Sequence, residues 1–273
     1  MKKLDRFRDW LTMFSNGDQQ SRIYVFGDSH TAALLRAQSF GERAANYDNI
    51  VISRLRKAKA GQMIGDESVE QFCQKIKRLK PTDFVFSAIG GNQYAVVSTI
   101  RHESDFSVLD AGVVLDQAGN DLMPIIPRRA FKSYISSGVW NSDGPVIRKI
   151  KSSTRGRVFH LSPPPPKFDN KFLVKNHETR FAEAGLAELE PTEPAFRLAC
   201  WEMQQECLAA LCVNAGVELV PPPASTLTEK GFLAPLYYSK DVTHANRRYG
   251  EQVLLQVLDI VARADQDRSG EQL

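Results

Sequence analysis

The amino-acid sequence predicts an α/β fold, a three-layer sandwich around a mostly parallel five-stranded sheet. Three observations support this. Short β-branched and aromatic runs alternate with segments of helical periodicity, the order that builds a parallel sheet covered by helices. One run, Phe84 to Ile89, is nearly all apolar, as a strand buried on both faces requires. Gly or Pro closes several of the runs, at Gly27, at Pro163 to Pro166 and after Val220.

In chain order, the first strand is expected over Arg22 to Phe26, ending at Gly27, with a helix from Thr31 to Ser39 and a second strand from Asn49 to Ser53. Ser68 to Leu79 forms an amphipathic helix, because Val69, Phe72, Ile76 and Leu79 recur at helical spacing and Pro81 follows its end. Phe84 to Ile89 is the third strand. Arg157 to Leu161 is the fourth, stopped by Pro163 to Pro166, whose rings remove the donors a ladder needs. A long helix runs from Ala195 to Ala215 with Gly216 at its C-cap, and Val217 to Val220 makes the fifth strand. The last helix begins near His244 or Asn246 and runs to about Ala262.

The main domain is placed at 22–263, with a polar, disordered tail over 264–273. Residues 1–21 read as an amphipathic helix, with Leu4, Phe7, Leu11 and Phe14 on one face and basic residues around them. Such a helix packs against the domain or a second subunit, or lies on an anionic lipid surface. Between the third and fourth strands, an insertion at about 93–156 exceeds the roughly 12 to 15 residues of a plain connection. Within it, Val113 to Ile125 looks like a hairpin around residues 117–121, and Arg128 to Ser136 like a short helix after Pro127. This stretch and Lys167 to Pro194 both leave the carboxyl ends of strands, where open α/β sheets bind ligands, so both are candidate walls of a pocket.

The bulk numbers set limits. With 273 residues, 42% hydrophobic and 25% charged, the chain can bury one sizeable core. A formal net charge of +3 with dispersed basic residues gives no reason to expect nucleic acid. No apolar stretch reaches the roughly 18 residues of a membrane span. Asp5, Arg6, Arg8 and Asp9 interrupt any apolar core of a secretion signal, so a cytoplasmic location is expected. Cys73, Cys200, Cys207 and Cys212 lack metal-type spacing and read as buried free thiols.

Three short segments can do chemistry. Gly27-Asp28-Ser29-His30 follows the first strand and opens a helix, which sets the Ser29 hydroxyl at the sheet's carboxyl edge beside free backbone N–H groups. By itself it could be an ordinary helix cap. Asp241-Val242-Thr243-His244 precedes the last helix, and a spacing of three lets the carboxylate orient the imidazole as a base, though Asp241 or Thr243 could also simply cap that helix. Gly90-Gly91-Asn92 follows the third strand, where an amide can donate to a developing oxyanion and glycines allow close approach. His30 either lines the pocket or sits on a helix face without a catalytic role. His102, His160 and His177 have no partner at a telling spacing.

Taken together, GDS after the first strand, a glycine before the second helix, GxN after the third strand and DxxH before the last helix resemble the sequence blocks of the SGNH, or GDSL-like, hydrolases, over Tyr24 to His244. The resemblance implies a flavodoxin-like fold and a serine esterase with a Ser29, His244 and Asp241 triad. It also implies an oxyanion hole formed by the Ser29 N–H, a block II glycine and Asn92. Gly61 is preferred for that glycine on its distance from the second strand, and Gly65 is the alternative. Gln93 departs from the family's pattern, which commonly has Asp there.

The implied chemistry needs no metal or organic cofactor. It acts on an acyl ester, O-acetyl included, of a small molecule or a carbohydrate. The polar residues Arg101, His102, Arg128, Arg129, Lys132, Tyr134 and Asn141 favour a polar alcohol over a long acyl chain. An O-acyltransferase on the same site, and a non-catalytic binding protein keeping the fold, are the alternatives; a homo-oligomer is compatible with all three.

Overall fold

The computed structural model describes residues 21–40, 47–59, 61–101, 106–110, 113–116, 124–176 and 190–270. The expected helix over 1–21 therefore lies outside the described residues, apart from Ser21. The main sheet consists of β1 (Ile23–Gly27), β2 (Ile50–Arg54), β5 (Phe84–Ala88), β9 (Arg157–Leu161) and β10 (Glu218–Val220), in the order β10-β9-β5-β1-β2. Every pairing in it is parallel. Numbering these strands one to five gives the order 2-1-3-4-5, the flavodoxin-like arrangement in which the crevice opens at the carboxyl ends where the winding reverses.

Helices cover both faces. On one face α1 (Thr31–Phe40) and α8 (Arg247–Gly270) pack on Ile23, Val25, Phe84, Phe86 and Phe159. On the other, α2 (Val69–Ile76), α5 (Gly144–Ser152) and α7 (Pro194–Ala215) enclose Phe26, Val85 and Val158. The alternation follows from the two-residue period of a strand: neighbouring β1 residues such as Val25 and Phe26 belong to opposite cores. Aromatic stacking adds to each, Phe86 on Phe159 at 5.0 Å on one side and Phe26 on Phe72 at 4.3 Å on the other. All four cysteines are buried and free, as their spacing suggested.

α2 shows how local sequence sets an element. Ser68 accepts from the Gln71 N–H while the Gln71 side chain accepts from the Ser68 N–H, a reciprocal capping box, and Phe72, Cys73 and Ile76 bury its apolar face. The strand and helix expectations agree with the structure to within a residue or two at most ends. β9 matches at both ends, and α7 starts one residue early at Pro194, a favoured first helical position.

Two expectations are corrected. Residues 117–123 of the hairpin expected over Val113 to Ile125 lie outside the described residues, and among the described ones its two ends do not pair with each other: β7 (Val113–Asp116) pairs antiparallel with the earlier strand β6 (Ser107–Asp110), and β8 (Ile125–Pro127) pairs parallel with the other edge of β6. Val108 of β6, the middle strand of the three, is fully buried in the core shared with Phe131 of α4 (Arg128–Gly138). The tail expected to be disordered over 264–273 continues α8 to Gly270. Ala264 is buried, and Asp265 accepts from the Ser21 hydroxyl while pairing with Arg268. Polarity alone misread this segment because its ties are to the start of the chain.

Between β5 and β9 the chain also forms α3 (Gln93–Ser98), then α4, then a five-residue π-helical turn, Val139–Asp143, leading into α5. β3 (Lys57–Lys59) and β4 (Gln62–Ile64) form a separate hairpin, and α6 (Asn170–Lys175) follows the proline run.

Candidate active site

Because the sheet is parallel, the segments after β1, β5 and β10 leave on one edge, and the three sequence motifs they carry meet there. Asp28 begins the turn after β1. One of its carboxylate oxygens accepts from the Gly90 N–H at 3.1 Å, the other from the His30 N–H at 3.4 Å, and the Thr31 hydroxyl donates to its carbonyl at 2.6 Å. The GDSH turn and the GGN loop are thereby tied together through Asp28.

The GGN loop is held tightly on its other sides. Gly90 and Gly91 have φ of 75° and 89°, where a side chain is strained, and a Cβ on Gly90 would fall 2.1 Å from the Asp143 carboxylate. Asp143 accepts from the Gly91 N–H at 3.3 Å and from the Gln93 amide at 2.8 Å. Gln204 of α7, fully buried, uses both ends of its amide, donating to the Gly91 carbonyl and accepting from the Tyr94 N–H, each at 2.8 Å. The π turn sets Asp143 into this position, and burial pushes its carboxyl above the ordinary range against the opposing hydrogen bonds from Ser142, Gln93 and Gly91.

Asn92 occupies the N-cap position of α3, yet its side chain makes no capping bond. Its Oδ1 lies 3.1 Å from His30 Nε2 instead. The His30 ring stands 5.3 Å from the His244 ring, tilted by 52°. His30 thus stands between Asn92 and His244. Burial lowers its pKa below the ordinary value, the Asp28 charge opposes this and His244 adds to it, so the ring is neutral near pH 7.

Asp241 and His244 form a closed turn. His244 Nδ1 lies 3.2 Å from one Asp241 oxygen, and the His244 N–H donates to the other at 2.7 Å. Asp241 does not cap the last helix; Asn246 does, accepting from the Arg248 N–H at 2.9 Å. Burial alone would raise the Asp241 carboxyl, but hydrogen bonds and charge from His244, together with the charge of Lys167, hold it down at about 2. With Asp241 ionised, the proton of a neutral His244 is drawn to Nδ1, leaving the Nε2 lone pair as a base.

Behind this turn stands Lys167, whose side chain is 1% exposed. Its ammonium donates to the carbonyls of Asp241 and, at 2.8 Å, Ser239, lies 3.5 Å from the Asp241 carboxylate and sits against the rings of Phe172 and Tyr238. The buried Arg197 of α7 in turn fixes the Lys167 segment, donating to the carbonyls of Lys167 and Phe168, to Asn170 and to Thr192. Sequence reasoning missed Asp28, Asp143, Gln204, Lys167 and Arg197. Asp28 alone had a visible signal, its place inside the GDS motif; the others come from remote segments with no informative spacing.

The two candidate glycines differ. Gly61 stands exposed in the turn between β3 and β4, with nothing near the place of a Cβ. Gly65 packs so closely on Leu55 that a Cβ would fall 2.3 Å from its carbonyl, and the Leu55 N–H donates to Gly27 at the end of β1 at 2.7 Å. Of the polar residues that favoured a polar alcohol, Arg128 and Lys132 are both paired with Glu206, and Arg101 with Glu190. His102 lies outside the described residues. A cavity of about 450 Å³ beside Arg101, Asn170, Lys171 and Glu190 has none of the motif residues in its wall. No helix among the described residues is long and apolar enough to cross a membrane.

No protein family profile and no curated protein matches the chain. Among solved structures it is similar to a GDSL-like lipase from Bacteroides thetaiotaomicron (10% identity, 94% of this chain and 98% of that chain, TM-score 0.46). It is also similar to a carbohydrate acetylesterase from Sinorhizobium meliloti (12% identity, 90% and 100%, TM-score 0.46) and an extracellular lipase from Streptomyces rimosus (14% identity, 89% and 100%, TM-score 0.46).

Proposed function

We propose that the protein is a serine esterase that hydrolyses an acyl ester through an acyl-enzyme on Ser29. The observation that supports this best is the meeting of three sequence-distant motifs at one sheet edge: Asp241 on His244, His244 beside His30 of the GDSH turn, and His30 on Asn92. In this reading His244 Nε2 takes the Ser29 hydroxyl proton as the oxygen attacks the ester carbonyl. Asp241 keeps Nδ1 protonated and stabilises the imidazolium. The Ser29 N–H and the Asn92 amide face the oxyanion, and Gly65 is proposed as the third donor in place of Gly61, because it is packed against the residue bonded to the end of β1. Collapse of the intermediate expels the alcohol, which takes the proton from His244. Water then repeats the sequence, its proton going to His244, and releases the acid and free Ser29.

The test is fluorophosphonate labelling and hydrolysis of phenyl acetate and an O-acetylated sugar at neutral pH. The wild type should label at Ser29 and turn over, and Ser29→Ala should lose the label and at least about 1000-fold in rate. A wild type that neither labels nor turns over ends this reading.

A further inference from the structure

The GDSH turn supplies a second imidazole that the mechanism above does not use. His30 Nε2 meets an amide oxygen, which can only accept, so the contact is a hydrogen bond only when Nε2 carries the proton. An Asn side chain has one acceptor and one NH2 group. With Oδ1 satisfied by His30, the NH2 group faces the opposite way and is free to donate. Without His30 the terminal torsion of Asn92 is broad and close to two-fold, so the carbonyl oxygen could turn into the place of the donor and repel an oxyanion.

The other side of this arrangement is a small cavity of about 20 Å³ whose wall includes His30, Gly90, Ser162, Pro163 and Tyr249. The hydroxyls of Ser162 and Tyr249 are buried and have no partner among the described residues. Ser162 is 8% and Tyr249 6% exposed, so bulk water does not satisfy them either. Roughly 10–15 Å³ is enough for one water, provided two to four polar groups surround it. A donor from such a water to Nδ1 is what an imidazole protonated at Nε2 needs.

We propose that His30 is a positioning residue that holds Asn92 with its NH2 group toward the oxyanion, and that one buried water in the adjoining cavity links its imidazole to Ser162 and Tyr249. The hydrogen bond stands on geometry; its effect on rate rests on the esterase reading. Burial keeps the ring uncharged, so it can stay a single-proton donor while His244 takes up and gives back a proton nearby.

Two measurements test this. In 15N-histidine-labelled wild type, His30 should be the neutral Nε2–H tautomer at pH 7, and it should keep the Nε2 proton in Asn92→Asp, whose carboxylate still accepts. A neutral Nδ1–H tautomer or an imidazolium in the wild type overturns the proposal. In kinetics, His30→Ala should lose about 100- to 1000-fold in kcat, the loss of one oxyanion donor, with KM nearly unchanged. His30→Gln, whose amide can still donate, should regain at least tenfold of it. Tyr249→Phe should move kcat in the same direction as His30→Ala and by less. The His30→Ala, Asn92→Ala double variant should be no slower than Asn92→Ala alone, since both remove one donor; losses that multiply overturn the proposal. If Ser29 takes no label while His30 shows the Nε2–H tautomer, the esterase reading fails and the positioning of Asn92 stands.

Discussion

Lys167 places its ammonium group in the interior, with two main-chain carbonyls and the Asp241 carboxylate around it. Methionine fits the apolar cage of Phe172 and Tyr238 but donates nothing. Lys167→Met should therefore leave buried carbonyls unpaired, at about 1–3 kcal/mol each, lower the melting temperature and slow Ser29 labelling. Asp241→Asn should keep the fold while cutting turnover by about 10,000-fold, because the amide favours the wrong tautomer of His244; steady-state kinetics and thermal melts separate these outcomes. The Asp241 carboxyl, held at about 2 against an ordinary 3.8, contributes stability that is complete above about pH 4 and is lost only as pH falls toward 2. His160 acts in another window. It is wholly buried on β9, 3.3 Å from the Ser87 hydroxyl, and burial lowers its pKa from 6.5 to about 4. The unfolded chain therefore binds a proton that the folded chain refuses, and stability should fall as pH drops from 6.5 toward 4. Urea midpoints at pH 7 and pH 4.5 should show that loss, and a smaller one in His160→Gln.

Elements were the most legible level of this sequence, where periodicity and punctuation agree. β9 is bounded by Gly156 and the proline run, and α2 by its capping box, and both emerge nearly as read. Legibility failed where a segment's partner is remote. Val113–Asp116 carries a strand's residues but not the identity of its neighbour, and the α8 extension depends on Ser21, 244 residues away. Close contact between elements also leaves a check. A Cβ on Gly250 of α8 would fall 2.2 Å from the Ala33 carbonyl of α1, backbone against side chain with no room to yield. Gly250→Ala should cost about 1–3 kcal/mol in urea unfolding by forcing the two helices apart. The site was readable in part for a related reason: Ser29, Asn92, Asp241 and His244 stand at strand and helix ends, where position follows from element order. Asp143 and Gln204 reach the GGN loop from the π turn and from α7, and no pattern in those segments announces it.

Across the whole molecule, the 2-1-3-4-5 winding puts β1 inside the sheet and lets α8 close over α1, so the first motif and the last are neighbours. Winding order, more than any local motif, decides where the chemistry sits. It also imposes a schedule on synthesis. The GDSH turn leaves the ribosome well before the imidazole of His244, and α8 comes later still. Under the proposed reading, the hydroxyl made first waits for a base made much later, and the two are brought together only once α8 docks on α1.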